Sequence, residues 1–168
     1  SSGFSYSVDA LHSKIRYHKK DGPLVSVVMT AYMGEDLLNV AVSSILNQSW
    51  ENLEIIIVDD CSPDETFTIL QEMAEKDNRI KPVRLERNSG TYVAKNEGLC
   101  LASGKYVTFH DSDDWLHPQK IEMQVNLLED NGDLVACTTN YLRVDENSRI
   151  MFHSKGCIRH ACISLMIR

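Results

Sequence analysis

A chain of 168 residues suits one domain with a full core, and its ordinary apolar content removes disordered and collagen-like classes. Its 24 acids against 17 Lys and Arg give a formal charge of −7, which argues against a dedicated nucleic-acid binder, because phosphate contacts need clustered cations. No apolar stretch approaches the roughly 20 residues of a membrane span, and no secretory signal is visible.

Residues 1–22 mix Ser, Tyr, His and Lys without a sustained period and read as a linker or N-terminal arm, with Asp21-Gly22-Pro23 marking the entry to the fold. The basic group Lys14, Arg16, Lys19 and Lys20 suits an anionic membrane surface or, more simply, a solvated linker. The chain begins at Ser1, as an excised or processed piece would.

From residue 23 onward strands and helices alternate. Leu24–Thr30 is a short apolar run, and Leu38, Ala41, Val42, Ile45 and Leu46 follow at helical spacing. Leu53–Asp59 predicts a second strand. Ser62-Pro63-Asp64-Glu65 then carries a capping Ser, a Pro at the first helical position and a Glu three residues on. The helix after it buries Phe67, Leu70, Met73 and Ala74. Lys81–Glu86 predicts a third strand and Thr91–Ala102 a weaker helix. Lys105–Asp111 predicts a fourth strand, Pro118 opens a helix with Ile121, Val125 and Leu128, and Leu134–Val144 reads as a further strand. Near-continuous apolar strands separated by amphipathic helices predict an α/β, Rossmann-like domain, a mostly parallel sheet covered on both faces, over residues 23–168.

The five cysteines are odd in number and contain no CxxC pair, which favours a reduced, cytosolic chain. His153, Cys157, His160 and Cys162 are dense enough to wrap a zinc ion but fit no standard finger spacing. Scattered residues are the simpler reading.

Chemistry collects at the strand ends. In an open parallel sheet ligands sit beyond the carboxyl ends of the strands, where the strand order reverses. Here those ends read Thr30-Ala31-Tyr32 with Glu35 beyond, then Asp59-Asp60, then Asn88-Ser89-Gly90, then Asp111-Ser112-Asp113-Asp114. Right-handed crossovers bring them to one rim. If the fourth strand stays extended, Asp111 and Asp113 point to one side and Asp114 to the other. Two carboxylates on one side are an oxygen site for Mg²⁺ or Mn²⁺, ions that leave their other positions to water and phosphate. Taken alone, each acidic group could equally be a turn or a helix cap. Lys95, one turn into the helix after Gly90, would offer a cation to a phosphate or simply be solvated. Tyr32 would stack on a base or close the core edge. Trp115 reads as packing, and His110 and His117 as structural.

The segments "PLVSVVMTAYMGED", "SILNQSWENLEIIIVDDCSPDET", "RNSGTYVAKNEGLCLASGKYVTFHDSDDWLHPQKI" and "ACISLMIR" resemble the family 2 inverting glycosyltransferases with the GT-A fold. The likeness is dense from residue 23 to about 130 and looser beyond. It implies a nucleoside pocket lined by Thr30, Ala31 and Tyr32 with Glu35 nearby. It implies that Asp60, beside Asp59, hydrogen-bonds the base. Asn88, Gly90 and Lys95 would approach the ribose and diphosphate, though the family usually has Arg where Lys95 stands. Asp111, Ser112 and Asp113 match the DxD motif, whose Mg²⁺ or Mn²⁺, held by Asp111 and Asp113, grips the diphosphate. The expected donor is a nucleotide diphosphate-sugar, most often a UDP-sugar. The acceptor would be a glycan or a lipid-linked glycan in polysaccharide or glycoconjugate assembly, on the cytoplasmic side of a membrane with peripheral association.

The family's general base is a downstream acid, usually in an "ED" pair. The Glu129-Asp130 pair falls too early, and Asp133, Asp145 and Glu146 do not match, so the base is expected beyond Arg168 and the acceptor half is expected to be incomplete. Two other readings stay open. A nucleotide-binding fragment without catalysis would keep the pocket and lack the base. A sugar nucleotidyltransferase would need a Gly-rich basic loop after the first strand, where this chain has the acidic "TAYMGED". A dinucleotide oxidoreductase is disfavoured, since no GxGxxG follows a strand.

Overall fold

In the computed structural model, residues 18–140 and 164–168 are described. The zinc-like cluster, Lys14, Arg16, Asp145, Glu146 and the end of the last predicted strand lie outside them. The elements run β1 (Val25–Ala31), α1 (Leu38–Leu46), β2 (Leu53–Asp59), α2 (Thr66–Lys76), β3 (Ile80–Arg84), α3 (Thr91–Leu101), β4 (Tyr106–Asp111), α4 (Lys120–Asp130), β5 (Ala136–Thr138) and β6 (Leu165–Ile167). They build one six-stranded sheet in the order β3-β2-β1-β4-β6-β5. The first four strands pair in parallel, and β6 runs antiparallel to both β4 and β5. The mostly parallel α/β architecture is as expected.

Side-chain alternation sorts the sheet into two faces. Val25, Val27 and Met29 of β1, Ile55 and Ile57 of β2, and Tyr106 of β4 pack with Ala41, Ile45, Leu70, Ile121 and Leu128 of α1, α2 and α4. The opposite face is thinner. There Val28, Ile56, Val58, Val107 and Phe109 lie on the side of α3, which buries Ala94 against Ile56 and Val58. A chain that moves outward from β1 to β3 on one face must return over the other to place β4 beside β1. The strand order therefore reverses between β1 and β4, and register sets Thr30 opposite Asp111 there.

Gly98 brings α3 this close. A methyl group at that position would come within 2.5 Å of Val28 Cγ1 and 3.3 Å of Val58 Cγ2. The helix is thereby clamped to the sheet through Ala94 and Gly98, one turn apart.

The lower edge of the same face holds a buried carboxylate. Glu54 accepts from Ser26 Oγ at 2.5 Å, Ser103 N at 2.6 Å, Ser103 Oγ at 2.9 Å and Lys81 Nζ at 2.6 Å. Burial alone would raise its pKa, but the Lys81 ammonium and the Ser26 and Ser103 donors outweigh it and hold the pKa down to about 2. A depressed carboxylate stabilises the fold above its unfolded pKa, and the gain disappears as pH falls toward the folded value. The wild-type protein is expected to lose about 2 kcal/mol more than Glu54→Gln does between pH 6 and pH 3. Urea denaturation at the two pH values measures the difference.

Three local expectations give way to the structure. Ser62 does not cap α2, which begins at Thr66. Its hydroxyl instead accepts Met33 N–H at 3.0 Å, and its own N–H is taken by Asp59. Likewise α4 starts at Lys120 rather than Pro118, whose carbonyl accepts Ser49 N–H at 2.8 Å. Lys19, read as part of a solvated arm, bridges to Trp50 through backbone bonds with Ser49 and Glu51, its ammonium 5.0 Å from the Trp50 ring centre. Among the described residues no helix is long and apolar enough to cross a membrane.

Candidate active site

The rim at the carboxyl ends of β1, β2 and β4 meets the amino end of α3. Because β-strand side chains alternate, Thr30, Asp60 and Asp111 all face α3. Thr30 Oγ1 lies 3.2 Å from Thr91 Oγ1 and donates to Asp111 Oδ1 at 3.4 Å. Lys95 Nζ pairs with the same Asp111 oxygen at 2.8 Å. The Lys95 side chain is 12% exposed and that of Asp111 35%, so the pair sits at the mouth of the cleft.

Asp60 anchors the neighbouring loop. Its two carboxylate oxygens accept the N–H groups of Ser89 and Gly90, each at 2.7 Å. Its own N–H donates to the Ala31 carbonyl at 2.9 Å. Gly90 leads into α3 at φ 88°, ψ 157°, a conformation that essentially only glycine tolerates. An ionised carboxylate has about four acceptor sites, so Asp60 keeps capacity for a ligand N–H after these two bonds.

Asp59 behaves differently from its neighbour. It is fully buried on the other face, where its oxygens accept Ser62 N–H at 3.2 Å. Arg84, its register partner on β3, approaches it at 3.4 Å and donates to the Ser62 carbonyl at 2.8 Å. Asp59 thus holds the turn after β2. Cys61 between them takes a positive φ of 59°, which swings the chain from one face to the other.

The loop after β1 closes the front. Met33, at φ 51°, and Gly34 are tied down by Ser62 Oγ and Thr66 Oγ1, and Glu35 accepts Glu65 N–H at 3.2 Å. Tyr32 is half exposed at 47% and leaves its ring available. A Cβ on Gly34 would sit 3.4 Å from Ser112 Oγ, so this loop rests against the DSDD segment.

That segment does not continue as a strand. β4 ends at Asp111, and Asp114 N–H closes a turn onto the Asp111 carbonyl at 3.1 Å. The period of two that would align Asp111 with Asp113 therefore stops one residue too soon. Asp113 is exposed on the turn and Asn88 is exposed on its loop. His110 faces α4 and is fully buried. Burial, then the nearby Lys120 ammonium, lowers its pKa to about 3, so it is neutral. Lys120 is itself buried, donates to Thr108 Oγ1 at 3.0 Å, and is lowered to about 8.

The donor set suits a hard cation. Among the described residues, those that meet here through Thr30, Asp60 and Asp111 offer carboxylate and hydroxyl oxygens. Among the described residues no group of three or more acidic, His or Cys side chains forms a closed cage. One or two carboxylates with room for phosphate oxygens fit Mg²⁺ or Mn²⁺ better than a structural ion. Glu129, of the early "ED" pair, is bound to Lys105 Nζ at 2.6 Å and to the Tyr106 hydroxyl, at the start of β4. It stands at the opposite edge of the sheet from Asp111.

The profile of glycosyl transferase family 2 matches residues 26–165. The chain belongs to this family. Its GT-A fold is seen in S. aureus TarS residues 1–349 in complex with UDP-GlcNAc, which is 29% identical with a TM-score of 0.60 over 64% of this chain and 32% of that one. TuaG of Bacillus subtilis, provisionally named a teichuronic acid biosynthesis glycosyltransferase, is 47% identical over 63% of this chain and 42% of its own length. The Escherichia coli enzyme WfaP, named UDP-Glc:alpha-D-GlcNAc-diphosphoundecaprenol beta-1,3-glucosyltransferase, is 35% identical over 73% of this chain and 48% of its own. This glycosyltransferase chain spans less than half the length of each.

Thr91, Ser62 and Arg84 were not foreseen as parts of the site. Thr91 was visible as the first residue of a helix behind a glycine, a place where a hydroxyl meets the rim. Arg84 stands at the end of a strand next to one ending in Asp59, so register would have paired them. Ser62 gave no distinct signal, because its spacing to Glu65 also describes a cap.

Proposed function

We propose that this domain binds a UDP-sugar with Mg²⁺ or Mn²⁺ and serves an inverting transfer of the sugar to an acceptor hydroxyl. The observation that carries the reading is the convergence of Thr30, Asp60, Lys95 and Asp111 at the strand-order reversal, beside the amino end of α3. UDP-GlcNAc in TarS and the UDP-Glc in the name of WfaP support the uridine donor. The names of TuaG and WfaP support polysaccharide assembly on a lipid-linked acceptor. A lipid-linked acceptor supports peripheral association with the cytoplasmic face of a membrane.

Each residue has a part. Tyr32 stacks on the uracil, Asp60 accepts a base N–H, and Glu35 shapes the pocket around Thr30 and Ala31, while Asp59 holds the turn after β2 from the other face. Asn88 and Gly90 approach the ribose, and Lys95 the diphosphate. Asp111 and Asp113 hold the cation, with Ser112 between them. When bound, the cation supplies Lewis-acid stabilisation to the leaving diphosphate. A general base takes the acceptor's hydroxyl proton. The acceptor oxygen attacks C1, the bond from C1 to the diphosphate oxygen breaks, and its electron pair leaves with UDP.

Calorimetric titration of UDP into the purified protein tests the reading. Binding is expected to strengthen at least about tenfold with Mn²⁺, within the usual range for coupled ligands. Metal-independent binding, or none, counts against it.

A further inference from the structure

We propose that Lys95 is the resident counter-ion of Asp111, keeping a divalent cation off that carboxylate until a nucleotide diphosphate draws the ammonium away. The inference rests on the donor-site reading above and adds an order of binding to it.

The geometry is specific. Lys95 Nζ stands 2.8 Å from Asp111 Oδ1, an oxygen that also receives the Thr30 hydroxyl. An ion coordinated to that carboxylate would occupy the space next to this ammonium, and two cations repel strongly at such range where water is partly excluded. The Lys95 side chain is largely buried, so solvent does little to screen the conflict. The backbone cannot relieve it, because Ala94 and Gly98 fix α3 against Ile56, Val58 and Val28. Only the side chain can move.

A diphosphate gives it somewhere to go. The amino end of α3 lies one turn away, where the helix dipole favours an anion. An ammonium that turns from Asp111 to a phosphate oxygen keeps an anionic partner and frees the carboxylate. The phosphates then complete the cation's oxygen shell. Nucleotide and cation therefore help each other, and linkage requires the same factor in both directions. Lys95 is a positioning residue for the cation as well as a phosphate ligand.

Mn²⁺ binding without nucleotide, followed by the spin-resonance signal of the free ion, reads this directly, with UDP titrations alongside. Wild type is expected to bind Mn²⁺ weakly alone. Lys95→Met should bind Mn²⁺ alone about tenfold more tightly while binding metal-free UDP more weakly, shrinking the coupling between the two ligands. Opposite shifts of this kind do not follow from a loosened fold. Lys95→Arg should restore the wild-type pattern. Unchanged or weaker Mn²⁺ binding by Lys95→Met overturns the proposal while leaving UDP binding by wild type intact. Wild type that binds no UDP under either condition overturns the donor-site reading and this one with it. Should Lys95→Met fail to fold, Asp111→Asn serves: releasing Lys95 should strengthen metal-free UDP binding by several-fold more than Asp113→Asn, which removes the same charge. Equal gains overturn the proposal.

Discussion

Glycosyl transfer from a UDP-sugar is expected to fall by about 100- to 1000-fold in Asp111→Asn, the loss found when one preorganised electrostatic contact to a developing charge is removed. Asparagine keeps the size of the side chain and one acceptor oxygen, so the strand end should remain intact. What disappears is the charge. On the proposed reading the cation would lose an anionic ligand, while Lys95 loses its ion-pair partner. The diphosphate then departs with less compensation, which lowers kcat and kcat/KM together rather than raising KM alone. Lys95 is largely buried and would lose its charged partner, so unfolding free energy should fall by about 1.5–3 kcal/mol. Steady-state kinetics with urea denaturation separates the two quantities. Turnover within a few-fold of wild type would remove Asp111 from the chemistry.

The residues around Asp111 also show where sequence reasoning reached and where it stopped. β1, β2 and β4 were legible because each is buried on both faces and so reads as a largely apolar run, whereas β3, at the sheet edge, exposes Lys81 and Arg84. The site's location followed from topology, since a strand order that reverses leaves a crevice at the reversal. Individual side-chain roles depended on the face of the sheet, and a period of two was informative only inside a strand. It could have separated Asp59 from Asp60, adjacent acids that point to opposite faces, one into the turn before α2 and one onto the loop before α3. It does not reach Asp113, because a turn follows Asp111, the last residue of β4. Ser62 was ambiguous for a different reason, because hydroxyls serve caps and loop ties equally well. The pairing of Lys95 with Asp111 joins residues sixteen positions apart across a crossover, so only the packing of α3 could reveal it.

Asp60→Ala is expected to lower unfolding free energy by about 3 kcal/mol, since hydrogen bonds to a charged group contribute about 1.5–3 kcal/mol each and two are lost. The lower bound applies because Ser89 and Gly90 are exposed, and water can partly replace the carboxylate at their N–H groups. The functional cost is separate. Those two bonds fix the loop that sets the start of α3, and through it the positions of Thr91 and Lys95. With the loop released, UDP affinity should drop at least tenfold in the presence of Mn²⁺, a loss of about 1.4 kcal/mol. Asp60→Asn divides the effect. Its amide keeps one acceptor oxygen but turns a donor toward the other N–H, so half the anchor survives and the second N–H meets a like partner. Its stability should fall between wild type and Asp60→Ala, and its UDP affinity should follow the same order. If Asp60→Ala unfolds at the wild-type urea midpoint, the carboxylate does not anchor the loop. Tight UDP binding by that variant would also remove Asp60 from the base pocket.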